Sequence, residues 1–167
     1  MIPITEELSL TRQHLLQALA LFSESNFNAV PFEGSWTAGQ VTEHIFKSIN
    51  GTPHLLTGPS VPANRDPSAN VAGLRALFLD FTTKMKSPDF ILPSDDPKDY
   101  TTLTQTVAGI LNAIIEVSKT IDTSHIITGF DFPGVGPLTR IELLNFISVH
   151  TQRHTHQLKE IQKRMQQ

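Results

Sequence analysis

Apolar residues return every three, four or seven positions along five stretches of the chain, the spacing that lays one stripe along an α-helix. The first stretch predicts a helix over 5–24, with Ile4, Leu8, Leu15, Leu19 and Phe22 on the stripe. Thr5 is its expected cap, and Glu6 and Glu7 suit the positive end of the helix dipole. The second helix is expected over 37–50. Thr37-Ala38-Gly39-Gln40 has capping-box form, and Asn50-Gly51 followed by Pro53 reads as a stop. Val41, His44, Ile45 and Ser48 fall on its inward face. The third is expected over 68–85, carried by Val71, Leu74, Phe78, Phe81 and Met85. The fourth begins near 102, where Thr102 and Gln105 suggest another box; Leu103, Val107, Ile110, Leu111, Ile114 and Ile121 form its stripe. The last begins at Thr139, boxed with Glu142, and runs nearly to the C-terminus.

The connections are uneven. Residues 58–67 and the stretch punctuated by Pro88, Pro93 and Pro97 read as long loops, one of them suited to a crossover. Residues 129–137 read as a turn-rich connector and do not resemble a phosphate loop. No strand, repeat or low-complexity tract stands out. The expected fold is all-α, a single antiparallel helix bundle over residues 1–167 with long connections and room for one additional short helical segment.

Composition narrows the chemistry. The 167 residues include 7 His and no Cys, with a net charge of -3. No basic field points to nucleic acid. The lack of Cys excludes disulfides, thiolate zinc sites, iron–sulfur ligation and a cysteine nucleophile. A transition-metal site would have to use His and carboxylate. The opening residues lack the features of a secretory leader, and the longest apolar run, Ala18 to Phe22, cannot span a bilayer. A soluble, cytoplasmic protein with no membrane partner is expected. The sequon Asn50-Gly51-Thr52 is expected to be a helix-ending turn.

The densest chemistry lies in the last helix, His150-Thr151-Gln152-Arg153-His154-Thr155-His156-Gln157. On a wheel of ~100° per residue referred to Ile147, the residues Leu143, Leu158, Ile161 and Met165 lie within ~40°. His154 falls within ~20° and His150 within ~60°, both on the apolar stripe, whereas His156 falls near ~180°. Two imidazoles one turn apart can reach one metal ion. They can equally be two buried, hydrogen-bonded rings. His44, on the inward face of the second helix, is the best candidate for a third ligand, although a lone inward His is also an ordinary core residue. His14, His54 and His125 are expected at the surface.

These segments resemble the DinB/YfiT-like family. Trp36-Thr37-Ala38-Gly39-Gln40-Val41-Thr42-Glu43-His44-Ile45 is similar to the start of that family's second helix. Phe132-Pro133-Gly134-Val135-Gly136-Pro137-Leu138-Thr139-Arg140-Ile141-Glu142 is similar to the lead-in to its last helix, and His150-x-x-x-His154-x-x-Gln157 to its closing motif. The resemblance implies a four-helix bundle with a divalent metal held at one end of the core by His44, His150 and His154. The metal could be zinc, nickel, iron or manganese. It further implies a homodimer, and a reaction of the kind run by metal-dependent S-transferases or isomerases that use low-molecular-weight thiols.

Three neutral imidazoles leave coordination open, as catalytic sites do. A bound water would be acidified towards pKa ~7 and a bound thiol deprotonated. With no Cys in the chain, such a thiol would arrive as a cosubstrate for attack on a small electrophile. Hydrolysis by activated water is the alternative, as are a non-catalytic metal- or ligand-binding stress protein and a metal-free dimeric scaffold. Trp36, Arg153 and Gln157 are the candidate substrate-binding residues. Each has a plainer reading: packing beside a cap for Trp36, a solvated arginine for Arg153 and a helix-flank amide for Gln157. Glu43 and Glu142 could orient a ligand imidazole, but Glu142 reads first as the capping-box carboxylate. Phe130 and Phe132 could line the site's mouth, although core packing is the simpler role.

Overall fold

The computed structural model describes residues 2–167. Helix α1 spans Ile4–Leu19. Its cap is Pro3, not Thr5, and the Pro3 carbonyl accepts the amides of Glu6 and Glu7 at 3.0 Å. Proline suits this position because its φ is preset and no amide is wasted. The helix ends at Leu19 rather than 24, yet Phe22 and Phe27 beyond it remain buried.

Helix α2 spans Ala38–Ile49 and has the expected box. Gln40 donates its amide to Thr37 Oγ1 at 3.0 Å, and the Gln40 side-chain oxygen accepts the Thr37 amide at 3.0 Å. The stop lasts two residues, Asn50 and Gly51, before a short helix α3 starts over Thr52–Thr57. Pro53 is tolerated there because the first turn leaves its amides unpaired in any case.

Helix α4 covers only Val71–Leu79, against the expected 68–85. Asp80 ends it: its carboxylate accepts the Thr82 amide at 3.0 Å and the Thr83 hydroxyl at 2.6 Å, a local turn that competes with helix. Phe81 and Met85, expected in the core, are exposed. A 3-10 turn follows at Asp89–Ile91. Helix α5 spans Tyr100–Ser118 and is capped by Asp99, which accepts the Thr102 amide at 2.7 Å. The expected cap at Thr102 is displaced because Tyr100 already belongs to the first turn. Its ring packs edge-on to Phe27 at 5.1 Å.

The expectation of no strands is corrected. β1 (Ser60–Val61), β2 (Ile126–Phe132) and β3 (Gly136–Thr139) form an antiparallel sheet in that order. Ser60 pairs with Ile127, and Phe132 with Gly136. Gly134 and Gly136 close the hairpin at φ +78° and +90°, a region that side chains disfavour. The glycines and prolines that read as a connector are thus hairpin residues, and a register shift between Ile126 and Asp131 breaks the alternation that would have revealed the strand.

Helix α6 spans Arg140–Met165 behind the Thr139–Glu142 box. Both α1 and α2 pack against α5 and α6, while α4 lies along α6. Leu8, Leu15, Val41, Ile45, Val107, Ile114, Leu144 and Ile147 meet in the core. Residues 142–151 of α6 are buried on every face, so this helix is the central strut of the molecule. Among the described residues, no helix is long and apolar enough to cross a membrane.

Candidate metal centre

Two elements bring the centre together. The α2 box starts that helix so that His44, two turns in, points at the core. The fully buried stretch of α6 presents His150 and, one turn later, His154. The three rings retain 1%, 4% and 8% of their exposure respectively, so solvent scarcely reaches them. His150 Nε2 lies 3.1 Å from His44 Nε2 and 3.1 Å from His154 Nε2. One ligand atom from each residue falls within 4.8 Å of the others, a group that could hold a metal ion.

The partners of the opposite nitrogens decide the protonation. His44 Nδ1 faces the Ile91 carbonyl at 2.9 Å. A carbonyl only accepts, so Nδ1 carries the proton and Nε2 keeps its lone pair. His154 Nδ1 faces Gln157 Oε1 at 2.8 Å, with the same consequence. Two lone pairs therefore converge on His150 Nε2, and a single N–H there can satisfy only one. His150 Nδ1 is buried with no partner.

A metal ion fits this arrangement better than the bare rings fit each other. At about 2.1 Å from each nitrogen, an ion would see two of them 3.1 Å apart at about 95°, between the octahedral and tetrahedral values. Burial keeps all three rings neutral, the form that ligates. It pushes His154 down to about 3 and His150 well below the ordinary value, the neighbouring rings and Arg153 adding to the effect. His44 is lowered as well, by burial first, with the Ile91 carbonyl opposing.

Aromatic rings enclose the trio. Trp36, half-buried, lies against His44 with centroids 5.2 Å apart, and Phe146 against His150 at 5.1 Å. Phe132 packs on Phe146 at 4.7 Å, one layer out from the histidines. Phe130 is half-buried against the core. Gln157 sits on the His154 ring. Arg153 turns away: its guanidinium donates to the carbonyls of Asp80 at 2.8 Å, Phe78 at 3.4 Å and Thr83.

The two glutamates have other partners. Glu43 accepts the Ser94 amide at 2.8 Å and pairs with Lys98 at 2.8 Å. Glu142 completes the α6 box and also takes both Arg65 nitrogens at 2.7 Å. Of the peripheral histidines, His14 and His54 are exposed and His125 is half-buried beside Ser60 at 3.2 Å. His156 is exposed and stacks on Phe81 at 4.4 Å.

Sequence reasoning missed two partners of the trio. The Ile91 carbonyl leaves no trace in residue types, because any residue offers one. Phe146 stands one turn before His150, so helical spacing alone could have found it.

The family model described as DinB superfamily matches residues 7–158. No curated protein and no solved structure matches the chain.

Proposed function

Because the chain belongs to the DinB superfamily, a metal-binding family, we propose that it is a divalent-metal-dependent enzyme built on a four-helix bundle. In this reading His44, His150 and His154 hold the ion, and the reaction transfers a low-molecular-weight thiol to a small electrophile. One observation carries it: two imidazoles oriented by acceptors aim their lone pairs at a third, in a part of the core almost closed to water. Such orientation of a ligand by its second nitrogen is typical of metal-bound histidines. When bound, the ion would supply Lewis acidity that lowers the pKa of a coordinated thiol or water. The thiol would come from outside, because the chain has no Cys.

The chain's own residues supply the rest. Burial holds the three rings neutral, and the Ile91 carbonyl and Gln157 keep the single protons of His44 and His154 on Nδ1, away from the nitrogens that face the centre. Gln157 fixes the orientation of His154. Trp36 walls the His44 side and offers its ring face to an apolar part of the substrate. Arg153 binds the 78–83 backbone and lends positive charge beside the trio without contacting it, which favours an anionic cosubstrate. The proposed homodimer rests on the family resemblance, and light scattering checks it.

Metal analysis of tag-free protein comes first. After incubation with Zn²⁺, Ni²⁺ and Mn²⁺, about one ion per chain is expected, lost in His150→Ala and kept in His156→Ala. Loaded protein is then offered biological thiols with a panel of electrophiles. Turnover that needs both thiol and His150 supports the transferase; turnover with water alone replaces it by a hydrolase. Metal uptake without turnover or thiol binding leaves a binding protein.

A further inference from the structure

A trio this buried can be loaded, and reached by a substrate, only if something moves. Segment 80–99 is placed to be that part. It leaves α4 on the α6 side, where Arg153, next to His154 in the chain, holds the carbonyls of Asp80 and Thr83. It then crosses to α2. There the Ile91 carbonyl meets His44 Nδ1, the Leu92 carbonyl accepts from Lys47 Nζ at 2.7 Å, and the Ser94 amide donates to Glu43 Oε2 at 2.8 Å. Lys98 closes on the same Glu43 oxygen at 2.8 Å. The segment thus bridges the two helices that carry the three histidines, at the level of the histidines.

Its attachments are mainly hydrogen bonds and ion pairs, including two between Asn28 and the Lys98 backbone at 2.8 and 2.7 Å, beside one ring stack of Phe81 on His156. None of residues 80–99 is fully buried, and Phe81, Met85, Phe90 and Leu92 stand exposed. A stretch with no side chain buried in the core and with exposed backbone hydrogen bonds opens at low free-energy cost. Of all its contacts, only that of Ile91 reaches a ligand ring.

We propose that segment 80–99 is a lid over the histidine centre, and that Glu43, by clasping it, is a positioning residue for His44. This rests on the metal reading given above. With the lid shut, the Ile91 carbonyl keeps the proton on His44 Nδ1 and leaves Nε2 free for a divalent ion. With the lid open, that proton can occupy either nitrogen, and half of the arrangement that prepares the site is lost. His154 differs, because its orienting group, Gln157, lies on its own helix and stays in place. An ion that binds the shut form more tightly must in turn hold it shut, since such coupling is reciprocal.

Hydrogen exchange on the full chain tests this, chelated against loaded with one equivalent of Zn²⁺, with metal content measured on the same samples. Loading is expected to slow exchange across 86–98 by about tenfold and leave the α5 interior unchanged. Glu43→Ala, and separately Ser94→Pro, each of which deletes one side of the clasp, should restore fast exchange and weaken Zn²⁺ binding by about tenfold. Circular dichroism should show no change in helix content in either. The nitrogen spectrum of the His44 ring adds a readout that a purely structural role would not move: Nδ1-protonated in the parent chain, mixed in both variants. Full Zn²⁺ uptake with unaltered exchange over 86–98 overturns the lid and leaves the metal site standing. No Zn²⁺ uptake by the parent chain overturns both.

Discussion

Glu142 has no exposure, yet its environment favours the charged form. Burial alone would raise its pKa; the two Arg65 hydrogen bonds and the amides of Thr139 and Asn70 outweigh burial and hold it below the ordinary value. Replacing it with Ala removes a cap and a bidentate ion pair together. Glu142→Ala should therefore cost on the order of 3 kcal/mol, read from urea unfolding of the metal-free chain. The buried histidines make the opposite kind of statement. Their folded-state pKa values lie below the unfolded value near 6.5, His154 at about 3. Below pH 6.5 the unfolded chain takes up protons that the native rings refuse. Stability from the neutral trio is thus complete above that pH and drains away as pH falls towards 3. Each ring that stays neutral contributes a slope of about 1.4 kcal/mol per pH unit in that window. Urea midpoints of chelated protein at pH 7.5 and 5.5 check this, and His150→Phe should flatten the difference. At this scale the three inward histidines were legible because their places on a helix face are local facts. The Arg65 partner of Glu142 was not, because 77 residues separate them.

At the scale of the elements, the caps sort into two kinds. The boxes at Thr37 and Thr139 form as the sequence predicts, and the one expected at Thr102 does not. Thr5 and Thr102 also look like caps, but Pro3 and Asp99 start their helices earlier. Thr37→Ala should cost about 1 kcal/mol in thermal or urea unfolding, and Thr5→Ala should leave the midpoint unchanged. The same contrast explains the third helix. Periodicity runs on through Phe81 and Met85, but Asp80 turns the backbone out of the helix after Leu79. The residues thereby released from α4 become the start of the segment that crosses to α2. The hairpin of β2 and β3 shows the converse, since glycines that a one-dimensional reading takes for a break are what the turn requires.

For the molecule as a whole, the consequential fact is that α2 and α6 share a seam, because His44 and His150 lie 106 positions apart. In the proposed reading, a metal bridging that seam would tie the central helix to its neighbour and bind the folded state alone. Saturating Zn²⁺ at about 100 times its dissociation constant should add about 2.7 kcal/mol, or a rise of roughly 5–10 °C in Tm. His150→Ala should abolish the rise, and a calorimetric scan with and without chelator shows it. Much of this architecture was present in the amino-acid order: helical periodicity, two capping boxes, the inward faces of α2 and α6, the absence of any thiol, and the family resemblance. The periodicity, boxes and faces depend on neighbours within a turn or two, where backbone geometry leaves few alternatives. Tertiary structure alone decided the rest. It converged three Nε2 atoms, set the Ile91 carbonyl on His44, took Arg153 up with backbone carbonyls, and paired a short sheet that the sequence concealed. Those contacts join segments distant along the chain, so they exist only once packing has chosen which faces meet.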